Sequence, residues 1–106
     1  MEMILTTTET VPNKEVTEII GIARGSTVQA RHIGRDITAI FKAIVGGEVS
    51  EYTKLQADSR EQALQRMAAD AKQHGADAIV GVRITTSMVM NGAAEISAYG
   101  TAVKLK

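Results

Sequence analysis

Two β-type segments joined by Asn91-Gly92 constrain the fold of this chain more than any other feature. They span about 77–90 and 94–105, and both are rich in small and β-branched residues, as is typical of strands. Asn-Gly is the strongest short-range hairpin signal, because both residues readily adopt the positive φ angles of a tight two-residue turn. The sequence therefore predicts a long terminal β-hairpin.

The two-residue turn also predicts the register of the hairpin, and with it the residues that share a face. It places Met90 opposite Ala93 and Met88 opposite Glu95. We expect one face to pack against helices; it carries Val80, Val82, Ile84, Tyr99, Val103 and Leu105. The other face carries mostly small residues, which let another layer approach closely. A neighbouring subunit is expected to cover that face, with an oligomer interface at Gly81, Arg83, Ala98, Gly100 and Ala102.

Arg83 is an unusual charge in this face of small residues. In the predicted register it lies opposite Gly100. Two interpretations stay open. Arg83 forms an inter-subunit ion pair with a carboxylate such as Glu95 or Glu48, or it contributes to a ring of charge that lines a central channel.

Two further strands are predicted in the N-terminal part of the chain. β-branched residues indicate strands at 3–8 and 16–23, and the second has apolar residues on both parities, as expected of a strand covered on both faces. Between them, Pro12 and Asn13 favour a turn.

Helices are predicted in the middle of the chain. Apolar residues at helical spacing between Ile33 and Ile44 indicate a first helix that ends at Gly46-Gly47. A second helix is predicted over 50–74, followed by Gly75 in the left-handed conformation. The element order β-β-α-α-β-β, without a repeat or a linker, predicts one α+β domain over 1–106, an antiparallel sheet packed on one face by helices.

Composition excludes several classes of function. Twelve basic residues balance twelve acidic ones, so the chain lacks the net positive charge expected of a nucleic-acid binder. It has no cysteine, which excludes disulfides, thiolate metal sites and a Cys nucleophile. No apolar run approaches the length of a membrane span and the N-terminus lacks the features of a secretory signal. We therefore expect a soluble cytoplasmic protein that binds neither nucleic acid nor membranes.

The best candidates for ligand binding are Arg31, His32 and Arg35, at the predicted start of the first helix. Basic residues at a helix N-terminus, with Gly34 allowing close approach, can hold a small anion. The alternative is a solvated loop whose arginines pair with carboxylates such as Asp36. His74 is expected at the end of the second helix, where the helix dipole favours a cation.

Three stretches carry a family resemblance, and they lie at 33–47, 75–82 and 98–103. They read Ile33-Gly34-Arg35-Asp36 running to Ile44-Val45-Gly46-Gly47, then Gly75-Ala76-Asp77-Ala78-Ile79-Val80-Gly81-Val82, and finally Ala98-Tyr99-Gly100-Thr101-Ala102-Val103. Together they resemble the YbjQ-like family of small prokaryotic proteins, which are labelled uncharacterised or heavy-metal-binding. The resemblance implies a dodecin-like subunit that assembles as a ring, a pentamer whose strands form a central barrel. It implies no catalytic residues.

The sequence favours a non-enzymatic homo-oligomeric binding or scaffold protein of unknown ligand, with no assigned cofactor. One alternative is a heavy-metal-binding protein with His or Met ligands from several subunits, since one subunit has two His and no Cys. Another is an enzyme acting on a small anionic substrate through Arg35 and His32. Metal titration distinguishes the first alternative, and turnover lost in His32→Ala without loss of assembly would indicate the second.

Overall fold

The predicted terminal hairpin forms the centre of the sheet in the computed structural model, which describes residues 3–30, 50–90 and 93–106. The strands are β1 (Ile4–Leu5), β2 (Val16–Ala30), β3 (Ala78–Met90) and β4 (Ala93–Leu105), and one helix, α1, spans Ser50–Gln73. The predicted first helix and the Asn91-Gly92 turn lie outside the described residues.

The four described strands form an open sheet in the order β1-β3-β4-β2. β4 pairs antiparallel with both β2 and β3, whereas β1 pairs parallel with β3. The prediction of an α+β fold is confirmed, but the prediction of a wholly antiparallel sheet is wrong at β1. The helix predicted over 50–74 is confirmed, and Gly75 follows it with φ 81°. β2 continues to Ala30, seven residues beyond the predicted strand.

Two irregularities in β3 change the predicted register. Met90 pairs with Ala93 as expected, but Met88 pairs with Ala94 rather than Glu95, so the ladder shifts by one residue. A second shift lies between Val80 and Arg83, where Gly81 has φ 63°. An extra residue in one strand of a ladder is a β-bulge, and it changes which side chains share a face.

The small-residue face of the hairpin packs against the chain's own helix. The core cluster joins residues of α1 to residues of three strands: Ala63, Met67 and Ala71 on the helix, with Ala23, Ile79, Val82, Ile96, Ala98 and Ala102 on the sheet. The predicted faces are therefore exchanged along β4, because α1 and not a neighbouring subunit covers Ala98 and Ala102. Small side chains allow this close approach, and at Gly25 an added Cβ would collide with the helix backbone at Ala63 and Met67.

A second, smaller core lies where the N-terminal segment crosses the opposite face of the sheet. Ala78, Val80 and Val103 are buried there under Ile4, Val11 and Leu105. Val80, Val103 and Leu105 thus contact the N-terminal segment instead of the helices. No described helix is both long and apolar enough to cross a membrane.

Candidate functional site

The face of the sheet opposite α1 carries a row of three large polar side chains, one from each long strand. Tyr99 of β4 pairs with Arg24 of β2 on one side and with Arg83 of β3 on the other. Cross-strand partners share a face, with Cβ atoms about 5 Å apart. All three side chains are exposed, Tyr99 to 41%. We call Arg24, Tyr99 and Arg83 the arginine row.

Arg83 is held in place by backbone carbonyls. Its Nη1 donates to the Thr7 oxygen at 3.1 Å and to the Val82 oxygen at 2.8 Å. Within the described residues neither the Arg83 nor the Arg24 side chain forms an ion pair with a carboxylate. Two guanidinium groups therefore lie on one face without an ion-pair partner among the described residues.

A cleft of about 700 Å³ adjoins the arginine row. This volume falls in the range of small-molecule sites, roughly 300–1,000 Å³. Arg83 belongs to the arginine row and also lines the cleft. The cleft is lined by Glu9, Thr10, Val11, Lys14, Glu15, Val16, Ile19, Val80, Gly81, Arg83, Thr101 and Val103.

The N-terminal segment forms one wall of this cleft because it is bonded to the edge of β3. The Gly81 amide donates to the Thr8 oxygen at 2.9 Å, and the Val82 amide donates to the Thr6 oxygen at 3.0 Å. The segment then turns at Asn13, which has φ 63°, as the Pro12-Asn13 pattern predicted. These bonds fix the cleft wall relative to the sheet.

The outer edges of the sheet differ in how far they are covered. On β3 the described N-terminal segment pairs as far as Val82, and no described strand pairs with that edge beyond it. On β2, side chains of α1 form hydrogen bonds with two backbone groups at the strand edge. The Arg24 amide donates to Asp70 Oδ2 at 3.1 Å, and Arg66 Nη1 donates to the Ser26 oxygen at 2.6 Å.

Several large apolar side chains near these edges are exposed. On β3, Ile84 and Met88 are 42% and 76% exposed although they share the helix-facing side with their partners Ala98 and Ala94. On β2, Ile19 and Ile22 are 70% and 75% exposed. Exposed apolar surface of this kind is common where another molecule binds.

The structure separates the residues predicted to bind ligand. Arg31, His32 and Arg35 lie outside the described residues. Arg83 lies opposite Tyr99 rather than Gly100, and it forms no ion pair with Glu95, which accepts a hydrogen bond from Ser97. Glu48 is not among the described residues.

The remaining predicted interface residues lie in different surroundings. Gly81 lines the cleft, while Gly100 is buried and an added Cβ would lie 2.6 Å from Ile79 Cγ2. His74 follows the end of α1, as predicted, and its Nδ1 donates to the Asp70 oxygen at 2.9 Å. The part of the chain that the structure describes contains no group of three or more His, Cys, Asp or Glu side chains able to hold a metal ion.

Sequence reasoning missed Arg24 and Tyr99 as partners of Arg83. The predicted second strand ends at Ala23, so Arg24 lies outside it. The alternation of small residues at Ala23, Gly25 and Thr27, with polar ones between them, was the available signal that the strand continues.

The fold and the site define a small α+β protein with a mixed four-stranded sheet, one described helix and an exposed polar face. A family model described as "putative heavy-metal-binding" matches residues 3–106. The chain therefore belongs to the YbjQ family, which includes proteins named UPF0145. It is 58% identical over 104 residues to a UPF0145 protein of Psychromonas ingrahamii, covering 98% of this chain and 99% of the relative.

A second relative and a solved structure also match over nearly the whole length of this chain. A UPF0145 protein of Archaeoglobus fulgidus is 59% identical over 105 residues, 99% of this chain and 97% of its own. A DUF74-family crystal structure from Pediococcus pentosaceus, titled as having unknown function, is similar with a TM-score of 0.67 over 98% of both chains. At 14% identity, that likeness concerns the fold alone.

Proposed function

We propose that this protein is a non-enzymatic homo-oligomeric binding protein whose subunits join along the open edge of β3. Two features of the second half of β3 support the proposal. Its outer edge has no described strand partner, and its apolar side chains Ile84 and Met88 are exposed. Long open strand edges with apolar side chains favour strand addition by another chain.

A second copy of this chain fits the surface better than an unrelated partner does. α1 packs mainly over β2, and leaves Ile84 and Met88 of β3 uncovered on the same side of the sheet. If β2 of a neighbour adds to β3, the neighbour's helix comes with it and covers these two residues. The contact uses different surfaces on the two subunits, and a contact of this kind closes into a ring when it repeats.

The helix restricts how β2 takes part in this contact. Asp70 and Arg66 already bond Arg24 and Ser26 at the edge of β2, so pairing uses the residues on either side of them. A pentameric ring with the strands in a central barrel, as the family resemblance implies, is the assembly we propose. The described sheet is open, and joining its two outer edges between subunits is what such a barrel requires.

The assembly proposal predicts that Ile84→Arg dissociates the oligomer without unfolding the subunit. Ile84 is 42% exposed in the single chain, so an arginine there costs about 1 kcal/mol or less in a monomer. In the assembly the charge is buried and repeated in every subunit, which costs several kcal/mol per contact. Size-exclusion chromatography with light scattering measures the mass, and circular dichroism checks the fold.

Gln62→Arg provides a matched control, since it adds the same charge at an exposed helix position. We expect Gln62→Arg to keep the wild-type mass. An Ile84→Arg protein that also keeps the wild-type mass would show that the β3 edge does not join the subunits.

Metal binding is a second candidate because of the description of the matching family model. With two His and no Cys per chain, a site for a soft metal would have to combine ligands from several subunits. Zinc titration of the wild-type oligomer by calorimetry tests this. A stoichiometric tight site that is lost in His32→Ala or His74→Ala would favour metal binding.

A further inference from the structure

We propose that the arginine row and the adjoining cleft form one binding site for an amphipathic organic anion, with the anionic group at Arg24 and Arg83 and the apolar body in the cleft. The inference deepens the binding role proposed above by naming a class of ligand. Its test measures ligand occupancy and not subunit number, so the two proposals can fail separately.

The arginine row has the chemistry of an oxyanion site. Guanidinium groups bind carboxylate and phosphate oxygens through two parallel hydrogen bonds. Arg83 uses Nη1 for the Thr7 and Val82 carbonyls, and its other nitrogens have no described acceptor. The bonds to the backbone hold the side chain in place, which reduces the entropy lost when an anion binds. Tyr99, between the two arginines, supplies a hydroxyl donor and an aromatic surface.

The cleft suits an apolar body attached to that anionic group. Thr101 and Val103 line the cleft, and they lie two and four residues beyond Tyr99 on β4. At about 3.3 Å per residue, the cleft wall therefore extends from roughly 7 to 13 Å from the arginine row. Its apolar lining comes from Val11, Val16, Ile19, Val80 and Val103. Two fused rings attached to the anionic group reach the near part of this wall.

The charges around the cleft also favour one orientation of the ligand. Glu9 and Glu15 line the cleft together with Lys14 on the N-terminal segment. Two carboxylates on that segment repel an anionic group. The arginine row, which has no described carboxylate partner, attracts it. The anionic group is therefore expected at Arg24 and Arg83, with the apolar body toward Ile19.

Isothermal titration calorimetry of the full chain with four related probes tests this assignment. The probes are 1-naphthyl phosphate, 1-naphthoate, 1-naphthalenemethanol and inorganic phosphate. We expect one of the two naphthyl anions, or both, to bind at least tenfold more tightly than the neutral alcohol and than inorganic phosphate. The difference from the neutral alcohol measures the contribution of the charged hydrogen bonds. The difference from inorganic phosphate measures the contribution of burying the apolar rings. The stronger of the two anions identifies the preferred oxyanion.

Arg24→Gln and Arg83→Gln are each expected to lower the affinity for the naphthyl anion by about tenfold. This loss is typical of removing one charged hydrogen-bonding partner. Arg60→Gln is the matched control, because Arg60 is exposed on α1 at the other face; it should leave the affinity unchanged. Thermal melting checks that Arg83→Gln still anchors the N-terminal segment, and Arg24→Gln gives a readout independent of that segment. No binding of either anion, equal binding of the neutral alcohol, or unchanged affinity in Arg24→Gln would each overturn the assignment.

Discussion

Gly25→Ala is expected to destabilise the subunit by about 3 kcal/mol or more, although it adds a single methyl group. The added Cβ would collide with the helix backbone at Ala63 and Met67 and would lie 2.7 Å from the carbonyl carbon of Arg66. Backbone atoms of a hydrogen-bonded helix cannot rotate away as a side chain can, so α1 must move off the sheet as a whole. That movement loosens the packing of Met67, which is fully buried.

Urea unfolding followed by circular dichroism measures this loss, with Ser26→Ala as the control. Ser26 is the next residue on β2, its side chain is exposed, and its contact with Arg66 is made through the backbone oxygen. We expect Ser26→Ala to change the free energy of unfolding by less than about 0.5 kcal/mol. If Gly25→Ala is as stable as Ser26→Ala, α1 does not rest on the backbone of β2.

Ala98→Arg should prevent the subunit from folding. Ala98 is fully buried in the core beneath α1, and an arginine there places a charge without a partner among apolar side chains. The cost is on the order of 5 kcal/mol, which is comparable to the whole stability of a domain of this size. We expect an insoluble protein, or a soluble one without a cooperative thermal transition in circular dichroism.

Ile22→Arg is the matched control for Ala98→Arg, because it makes the same kind of substitution on the opposite face. Ile22 is 75% exposed, so the arginine side chain stays in solvent and the fold should survive. This pair of variants tests which face of the sheet the helix covers. A folded Ala98→Arg protein together with an unfolded Ile22→Arg protein would show that the faces are assigned the wrong way round.

The sequence patterns predicted the elements of this fold better than they predicted its faces. β-branched segments located the two strands of the terminal hairpin, and Gly75 located the end of α1, within a few residues, because these signals are local. The faces depend on the register, and two bulges in β3 shift it. Gly81, an isolated glycine inside a strand pattern, is a signal for the first bulge, whereas no residue near Val89 indicates the second one. A single such shift exchanges the faces of a strand.

The small-residue face was predicted correctly as a surface of close approach, but the approaching layer is different. Ala98 and Ala102 accommodate α1 of the same chain. Composition alone does not distinguish a helix of the same subunit from a layer of the next, since both require small side chains. The arginine row could not be predicted either, because Arg24, Tyr99 and Arg83 are far apart in the chain and become neighbours only through the observed register.

Self-association is tested most directly by a native mass spectrum of the wild-type protein at micromolar concentration. One chain has a mass of 11.3 kDa. We expect a species with the mass of a closed ring, which for the proposed pentamer is five chains. A spectrum that contains only the mass of one chain, under conditions in which the protein is folded, would show that the subunits do not assemble.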